Sequence, residues 1–323
     1  MNRPMIICGI RTTSHLIFII AIVAFVTQSA IPQSTLRVVQ DVPYFSGPDA
    51  DPRFHTLDLY LPEGESRLPL VLFVHGGAWR GGDKSQQGLV NFVKLFTSRG
   101  VGVASVNYRL SPAAQHPAHV EDIARAFAWI HNNAGDYRID PDEIFLAGHS
   151  AGGHLVSLLA LDPKYLNRHG LRPENIKGVM TISGLYDVLN SHDLGASSYL
   201  GEETFGRNVE GQRDASPSLK VASADNGTPP FLITFAENDF FGFAEQAKTF
   251  HGLLLNRRLP AHLVKIPART HLDVISSIGK RVTVRDINSN APIVQVEDLL
   301  GPALVRFVNQ VRNGLFSRDF RAI

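Results

Sequence analysis

Cysteine is nearly absent from this chain: Cys8 is the only one among 323 residues. A disulfide framework, a thiolate nucleophile and a cysteine-rich metal site are therefore excluded from any part that lacks Cys8. Charge of one sign is lacking too, with 31 Lys and Arg against 30 Asp and Glu and a formal net charge of +1. A nucleic-acid partner needs a basic stripe that neutralises several phosphates, and no such excess exists. A small or neutral molecule is the expected partner. Apolar runs long enough to span a bilayer, about 20 residues, are also missing; the longest, Leu16 to Val26, is about half that length, so no stable membrane anchor is expected.

That run follows Arg3 and Arg11 and precedes the small polar stretch Thr27, Gln28, Ser29, Ala30. Positive charge, apolar core and small-residue zone, in that order, describe a secretory signal peptide over residues 1–30, with cleavage between 27 and 35 and export to the periplasm or the medium. Cys8 lies within the segment to be removed. Asn226-Gly227-Thr228 matches the glycosylation acceptor pattern, which has meaning only in a eukaryotic secretory pathway.

What is present is an alternation of strand-like and helix-like segments through residues 36–315, the pattern of one catalytic domain with a mainly parallel sheet and helices on both faces. Leu36 to Val42 and Phe54 to Leu61 read as the first strands. Leu70 to Val74 is continuously apolar, as a strand buried on both faces should be. Val101–Asn107, Ile144–Ala147, Gly178–Ser183, Phe231–Phe235 and His262–Ile266 complete an eight-stranded sheet. Val120, Ile123, Phe127 and Ile130 recur at helical spacing after Pro117, and Leu304, Phe307, Val308 and Val311 do so after Gly301-Pro302, each giving a helix with one apolar face. The polar stretch from Leu185 to Gly227 reads as an excursion over the sheet edge, a small cap.

Gly148-His149-Ser150-Ala151-Gly152 joins the strand ending at Ala147 directly to an apolar helical run. A serine on so sharp a strand-to-helix turn exposes its hydroxyl at the carboxyl edge of the sheet, and the flanking glycines leave room for the crowded backbone. The bland alternative is a glycine turn that merely packs helix on strand. His75-Gly76-Gly77-Ala78-Trp79 follows the buried strand, where a glycine pair lets backbone N–H groups approach a developing oxyanion. Gly76, Gly77 and Ala151 are the expected donors, and Trp79 is a candidate substrate-binding residue or a core aromatic. His75, lying in that loop ahead of the serine, is expected to play a structural part, as are His149 and His154.

Acid and base should come from loops after later strands, in the order serine, acid, histidine. Asp239 follows the strand Phe231–Phe235 and His271 follows His262–Ile266. Asp239 would fix the imidazole tautomer while His271 takes the proton of Ser150; Glu237 and Asp273 are rivals for the acid.

The ordered set HGGAW, SVNYRLSP, the helix with Glu121-Asp122, DPDEIFLAGHSAGGH, PPFLITFAEND and the final histidine resembles the hormone-sensitive-lipase-like branch of the α/β-hydrolases, most closely the bifunctional feruloyl and acetyl-xylan esterases (BD-FAE-like). The resemblance covers Leu57 to His271. It implies the α/β-hydrolase fold and a carboxylesterase acting on small ester substrates without a cofactor or metal, with Ser150, Asp239 and His271 as the triad. Two departures stand out: Ala78 occupies a position where many such esterases carry a third glycine, and few residues precede Leu36 where many carry a longer cap. The HGGxW form is also similar to arylformamidases that cleave N-formylkynurenine, an intracellular activity that an export signal does not suit. A hydrolase fold kept as a non-catalytic binding module is the third reading, against which every motif position is filled.

Overall fold

The computed structural model describes residues 35–64, 67–86, 88–189, 198–284 and 294–317. The expected signal peptide and Cys8 lie outside them. Among the described residues no helix is long and apolar enough to cross a membrane.

Eight strands form one sheet: β1 (Leu36–Pro43), β2 (Thr56–Pro62), β3 (Leu68–Val74), β4 (Gly102–Val106), β5 (Ile139–His149), β6 (Gly178–Ile182), β7 (Phe231–Asn238) and β8 (Ala261–Thr270). Their spatial order is β1-β2-β4-β3-β5-β6-β7-β8. β2 runs antiparallel to β1 and β4, and every other pairing is parallel. A separate ribbon joins β9 (Val282–Val284) to β10 (Val294–Val296).

The helices are α1 (Leu89–Thr97), α2 (Ala118–Asn132), α3 (Ala151–Leu161), α4 (Lys164–Asn167), α5 (Ser198–Phe205), α6 (Val209–Asp214), α7 (Pro217–Lys220), α8 (Phe243–Asn256) and α9 (Leu300–Arg312). Because strand side chains alternate between faces, β3 feeds two cores at once. Leu70, Leu72 and Val74 pack with Val120, Ile123 and Phe127 of α2 and Leu155 and Leu159 of α3. Val71 and Phe73 pack on the other side with Phe92 and Phe96 of α1 and Leu304 and Phe307 of α9. Every residue of α3 is buried, which fixes the turn from which it starts.

β5 begins earlier than the apolar run suggests. Ile139 pairs with Leu68, but the next pair is Leu70 with Ile144, so residues 140–143 bulge out of register. Pro141 sits in that bulge, where a missing ladder N–H does no harm. α9 opens at Leu300 rather than after Pro302, since a proline is tolerated in a first turn whose N–H groups have no intrahelical acceptor.

The cap excursion contains α5, α6 and α7. α5 ends with Phe205 packed edge-on to Trp79 and His154. Asp214, at the end of α6, meets His116, Lys164 and Lys220 within 3.0 Å. Beneath the sheet's antiparallel end, the fully buried Asp122 of α2 accepts from Arg109, Arg125 and His55. Burial alone would raise its pKa, but His55 and Arg109 lower it to about 2.

Candidate active site

Ser150 stands between β5 and α3 with φ 53° and ψ −118°, outside the ordinary L-residue regions. The strained turn is held because Ser150 donates its N–H to Ile182 at 2.9 Å and its carbonyl accepts from His154 at 3.1 Å. α3 must also pass close to β3: a Cβ on Gly152 would come within 2.1 Å of the Val74 carbonyl oxygen. Only glycine fits there.

Strand register brings the partners together. His149 pairs with Ile182, which sets Ser150 beside Ser183. Between β7 and β8 the pairing slips, from Ala236 with Ile266 to Asn238 with Thr270. The slip leaves Asp239 and His271 as the next residues on adjacent chains. His271 Nδ1 lies 2.6 Å from Asp239 Oδ1, and its Nε2 lies 2.8 Å from Ser150 Oγ. An ionised carboxylate can only accept, so Nδ1 carries the proton and Nε2 is free to accept from the serine.

Asp239 is well supplied with donors: Ser183 Oγ at 2.6 Å, the Ala236 N–H at 3.1 Å and the Phe240 N–H at 2.9 Å. Burial pushes its pKa up, yet His271, Ser183 and the Phe240 N–H outweigh that and lower it. The carboxylate stays charged where an imidazole needs a counter-charge. His271 is only 3% exposed, its ring stacked under Phe240 at 4.1 Å and met edge-on by Phe243 at 4.9 Å. Phe240 and Phe241 also line a hollow of about 690 Å³ that opens beside Asp239 and is bounded by Leu219 and Gln246.

The rival acids are placed elsewhere. Glu237 falls in the register slip, where it is exposed, 2.7 Å from Lys265 Nζ and accepting from the Ala268 N–H. Asp273 caps its own turn by accepting from the Thr270 N–H at 2.7 Å.

The HGGAW loop faces the serine: a Cβ built on Gly76 would lie 3.0 Å from that of Ser150. Gly77, Ala78 and Trp79 follow with φ of 116°, 52° and 58°. Three successive left-handed residues coil the loop tightly, and the Gly77 carbonyl accepts from both Arg80 and Gly81. The position of Ala78 is thus one that favours glycine, and alanine holds it at a cost of about 1–2 kcal/mol. Ala151 is the first residue of α3, so its N–H has no acceptor within the helix.

Trp79 is nearly buried, at 9% exposure. Its indole N–H donates to His154 Nδ1 at 3.3 Å, and His154 Nε2 donates to the Ala215 carbonyl at 2.7 Å. Burial lowers the pKa of His154 to about 3, which keeps the ring neutral and the relay directional. His75 is buried with its ring stacked on Tyr108 at 4.5 Å, its Nδ1 donating to the Gly76 carbonyl at 2.7 Å. Ser183 and Phe240, both beside Asp239 and His271, carry no motif that would mark them in the sequence, whereas His149 lies within the Gly148–Gly152 motif and its contact with the His271 carbonyl is what the motif does not reveal.

A half-buried hydroxyl on a sharp turn, an imidazole behind it with Nε2 facing the hydroxyl and a fixed carboxylate behind that form a unit able to deprotonate the hydroxyl and neutralise the resulting cation. A family model described as BD-FAE matches residues 57–254, from β2 into α8. The chain belongs to the BD-FAE family. The matched span takes in Ser150 and Asp239 and ends short of His271.

Among curated relatives, the chain is 31% identical over 221 residues to the probable carboxylic ester hydrolase LipM of Mycobacterium tuberculosis, covering 65% of this chain and 50% of that protein. It is 30% identical over 233 residues to the isoprenylcysteine alpha-carbonyl methylesterase ICME of Arabidopsis thaliana, covering 68% and 54%. The chain spans about half the length of these curated relatives. Among solved structures, esterase B from Lactobacillus rhamnosus superposes with a TM-score of 0.69 at 21% identity over 88% of both chains. That likeness is one of fold, and the α/β-hydrolase fold expected from the sequence is the one observed.

Proposed function

We propose that this protein is a carboxylic-ester hydrolase working through an acyl-enzyme on Ser150. The observation that carries the reading is the hydrogen-bonded line from Asp239 through His271 to Ser150 Oγ, with links of 2.6 and 2.8 Å. The ester-hydrolase names of its relatives support it. His271 takes the Ser150 proton as Oγ attacks the ester carbonyl, and the new alkoxide lies against the N–H groups of Gly76, Gly77 and Ala151. The tetrahedral species collapses, His271 hands the proton to the departing alcohol, and water repeats the cycle to free the acid. Asp239 holds the tautomer and stabilises the imidazolium. Trp79 walls the site from the HGGAW side rather than offering its N–H to substrate.

Short acyl esters, acetyl to butyryl, are the proposed substrates, on the strength of the family resemblance and the small cap. The N-terminal pattern of Arg3, Arg11 and Leu16 to Val26 supports export. The test is a panel of p-nitrophenyl esters of rising chain length beside acetylated xylan and N-formylkynurenine. Fastest turnover on short esters, lost on treatment with a serine-directed organophosphate, is the expected result. Formamide cleavage outpacing every ester, or an optimum at long chains, would overturn it.

A further inference from the structure

The Ser150–His271 hydrogen bond is not the only link between the nucleophile's turn and the base's loop. His149 Nε2 lies 3.0 Å from the backbone carbonyl oxygen of His271. A carbonyl only accepts, so Nε2 is the protonated nitrogen and Nδ1 is bare. The two rings are 5.0 Å apart at 41°. On its other side His149 abuts the HGGAW loop, its carbonyl oxygen 3.0 Å and its Nδ1 3.1 Å from where a Cβ on Gly76 would stand. The residue thus fills the gap between that loop and the base.

The two ends of this link differ in rigidity. His149 is the last residue of β5, in register with Ile182 in the middle of the sheet, and the fully buried α3 follows one residue later. His271 sits instead in a turn whose next residue, Leu272, is 78% exposed, and the phenylalanine stacked on its ring is itself 49% exposed. The Phe240 face is an apolar contact that permits sliding, whereas a hydrogen bond to the His271 carbonyl fixes the backbone from which the ring hangs.

We propose that His149 is a positioning residue: it ties the His271 carbonyl to the strand end that carries Ser150, and so keeps the imidazole Nε2 in line with the attacking oxygen. The proposal rests on the ester-hydrolase reading of the triad. Its weight comes from the steep dependence of acyl transfer on alignment, where a misplacement of about 1 Å costs on the order of a hundredfold in rate. The titratable groups facing His149 are His271 and, beyond it, Asp239; protonating His149 would set a cation beside the imidazolium that the reaction itself creates.

The experiment compares His149→Phe, which keeps a planar ring but no donor, with His149→Gln, whose amide N–H can reach the same carbonyl. With p-nitrophenyl acetate, His149→Phe is expected to lose kcat by about a hundredfold at unchanged KM, and His149→Gln to regain most of it. Thermal melts of both variants check that each is folded. The rate at which an organophosphate labels Ser150 should fall in parallel with kcat. Wild-type kcat in His149→Phe, or equal losses in the two variants, would overturn the proposal. Should His149→Phe not fold, histidine NMR of the wild-type chain decides: a proton on Nε2 of His149 supports the proposal and a proton on Nδ1 defeats it. A wild-type protein that neither turns over esters nor takes up the organophosphate would bring down the ester-hydrolase reading and this proposal together; an active wild type with an equally active His149→Phe defeats the proposal alone.

Discussion

Ser183 donates its hydroxyl to Asp239 Oδ2 at 2.6 Å, the carboxylate oxygen that His271 leaves free. It is one of the donors that hold the Asp239 pKa down against the effect of burial. Ser183→Ala is therefore expected to raise that pKa and to lower kcat/KM at neutral pH by about tenfold, the equivalent of losing a hydrogen bond to a charged group worth about 1.5 kcal/mol. Because the carboxylate must be ionised, the variant's acid-side loss should begin at higher pH than the wild type's. A kcat/KM profile measured from acid to neutral pH checks both points, and an unchanged profile refutes them.

Replacing the triad itself should be far more damaging. Ser150→Ala is expected to lower turnover about a millionfold with the fold intact, and Asp239→Asn about ten-thousandfold through the wrong imidazole tautomer. Glu237→Gln should be close to wild type, since that carboxylate is spent on Lys265 and the Ala268 N–H. Kinetics in which Glu237→Gln is worse than Asp239→Asn would move the acid to Glu237.

Gly77→Ala tests the loop. Gly77 has φ 116°, and an added Cβ would come within 2.2 Å of the Gly81 carbonyl oxygen. Strain of at least about 2 kcal/mol, a fall of roughly 5 °C in Tm, should accompany loss of activity. A variant with wild-type melting and wild-type rate would show that the loop has another conformation open to it.

Stability should decline with acid in two stages. His119 and His154 are fully buried, and burial lowers their pKa values to about 4 and about 3. Unfolded imidazoles take up protons below about 6.5 while these two do not. The folded state is thus fully favoured above that pH and loses ground down to about 4, by up to roughly 2.7 kcal/mol per pH unit for the pair. Asp122 acts in a lower window: its depressed pKa of about 2 contributes stability that is complete above about 3.9 and is lost as pH falls toward 2. Urea unfolding over a pH series reads the slopes. A stability constant from pH 7 to 4.5 would contradict the neutral-histidine stage.

The sheet and the meeting of Ser150, Asp239 and His271 are legible in the sequence because each depends on local signals: continuous apolar runs for buried strands, and a fixed order of serine, acid and histidine after successive strands. Asp239 was separable from Glu237 only through the β7–β8 register slip. That slip follows from pairing between segments distant in sequence, which periodicity does not encode. The start of β5 is hidden from periodicity for a related reason, since Ile139 joins the strand only by its pairing with Leu68 across a bulge. Ser183, Phe240 and the His149 contact are invisible in sequence because serine, phenylalanine and histidine at those positions serve packing equally well. The Asp122 node shows the same limit, since it draws His55 and Arg109 to α2 from separate stretches of chain.

The single ring of His154, bonded to Trp79 on one side and to the Ala215 carbonyl on the other, makes the cap and the HGGAW loop inseparable for anyone redesigning substrate scope. A foreign cap that places no carbonyl where Ala215 presents one would leave the imidazole of His154 free to turn its proton toward Trp79. The indole would then lose its acceptor, and the left-handed backbone of Trp79 and Ala78 would lose a tether. Chimeras should therefore exchange residues 198–216 together with positions 79 and 154, as one transplant unit, or leave all of them in place.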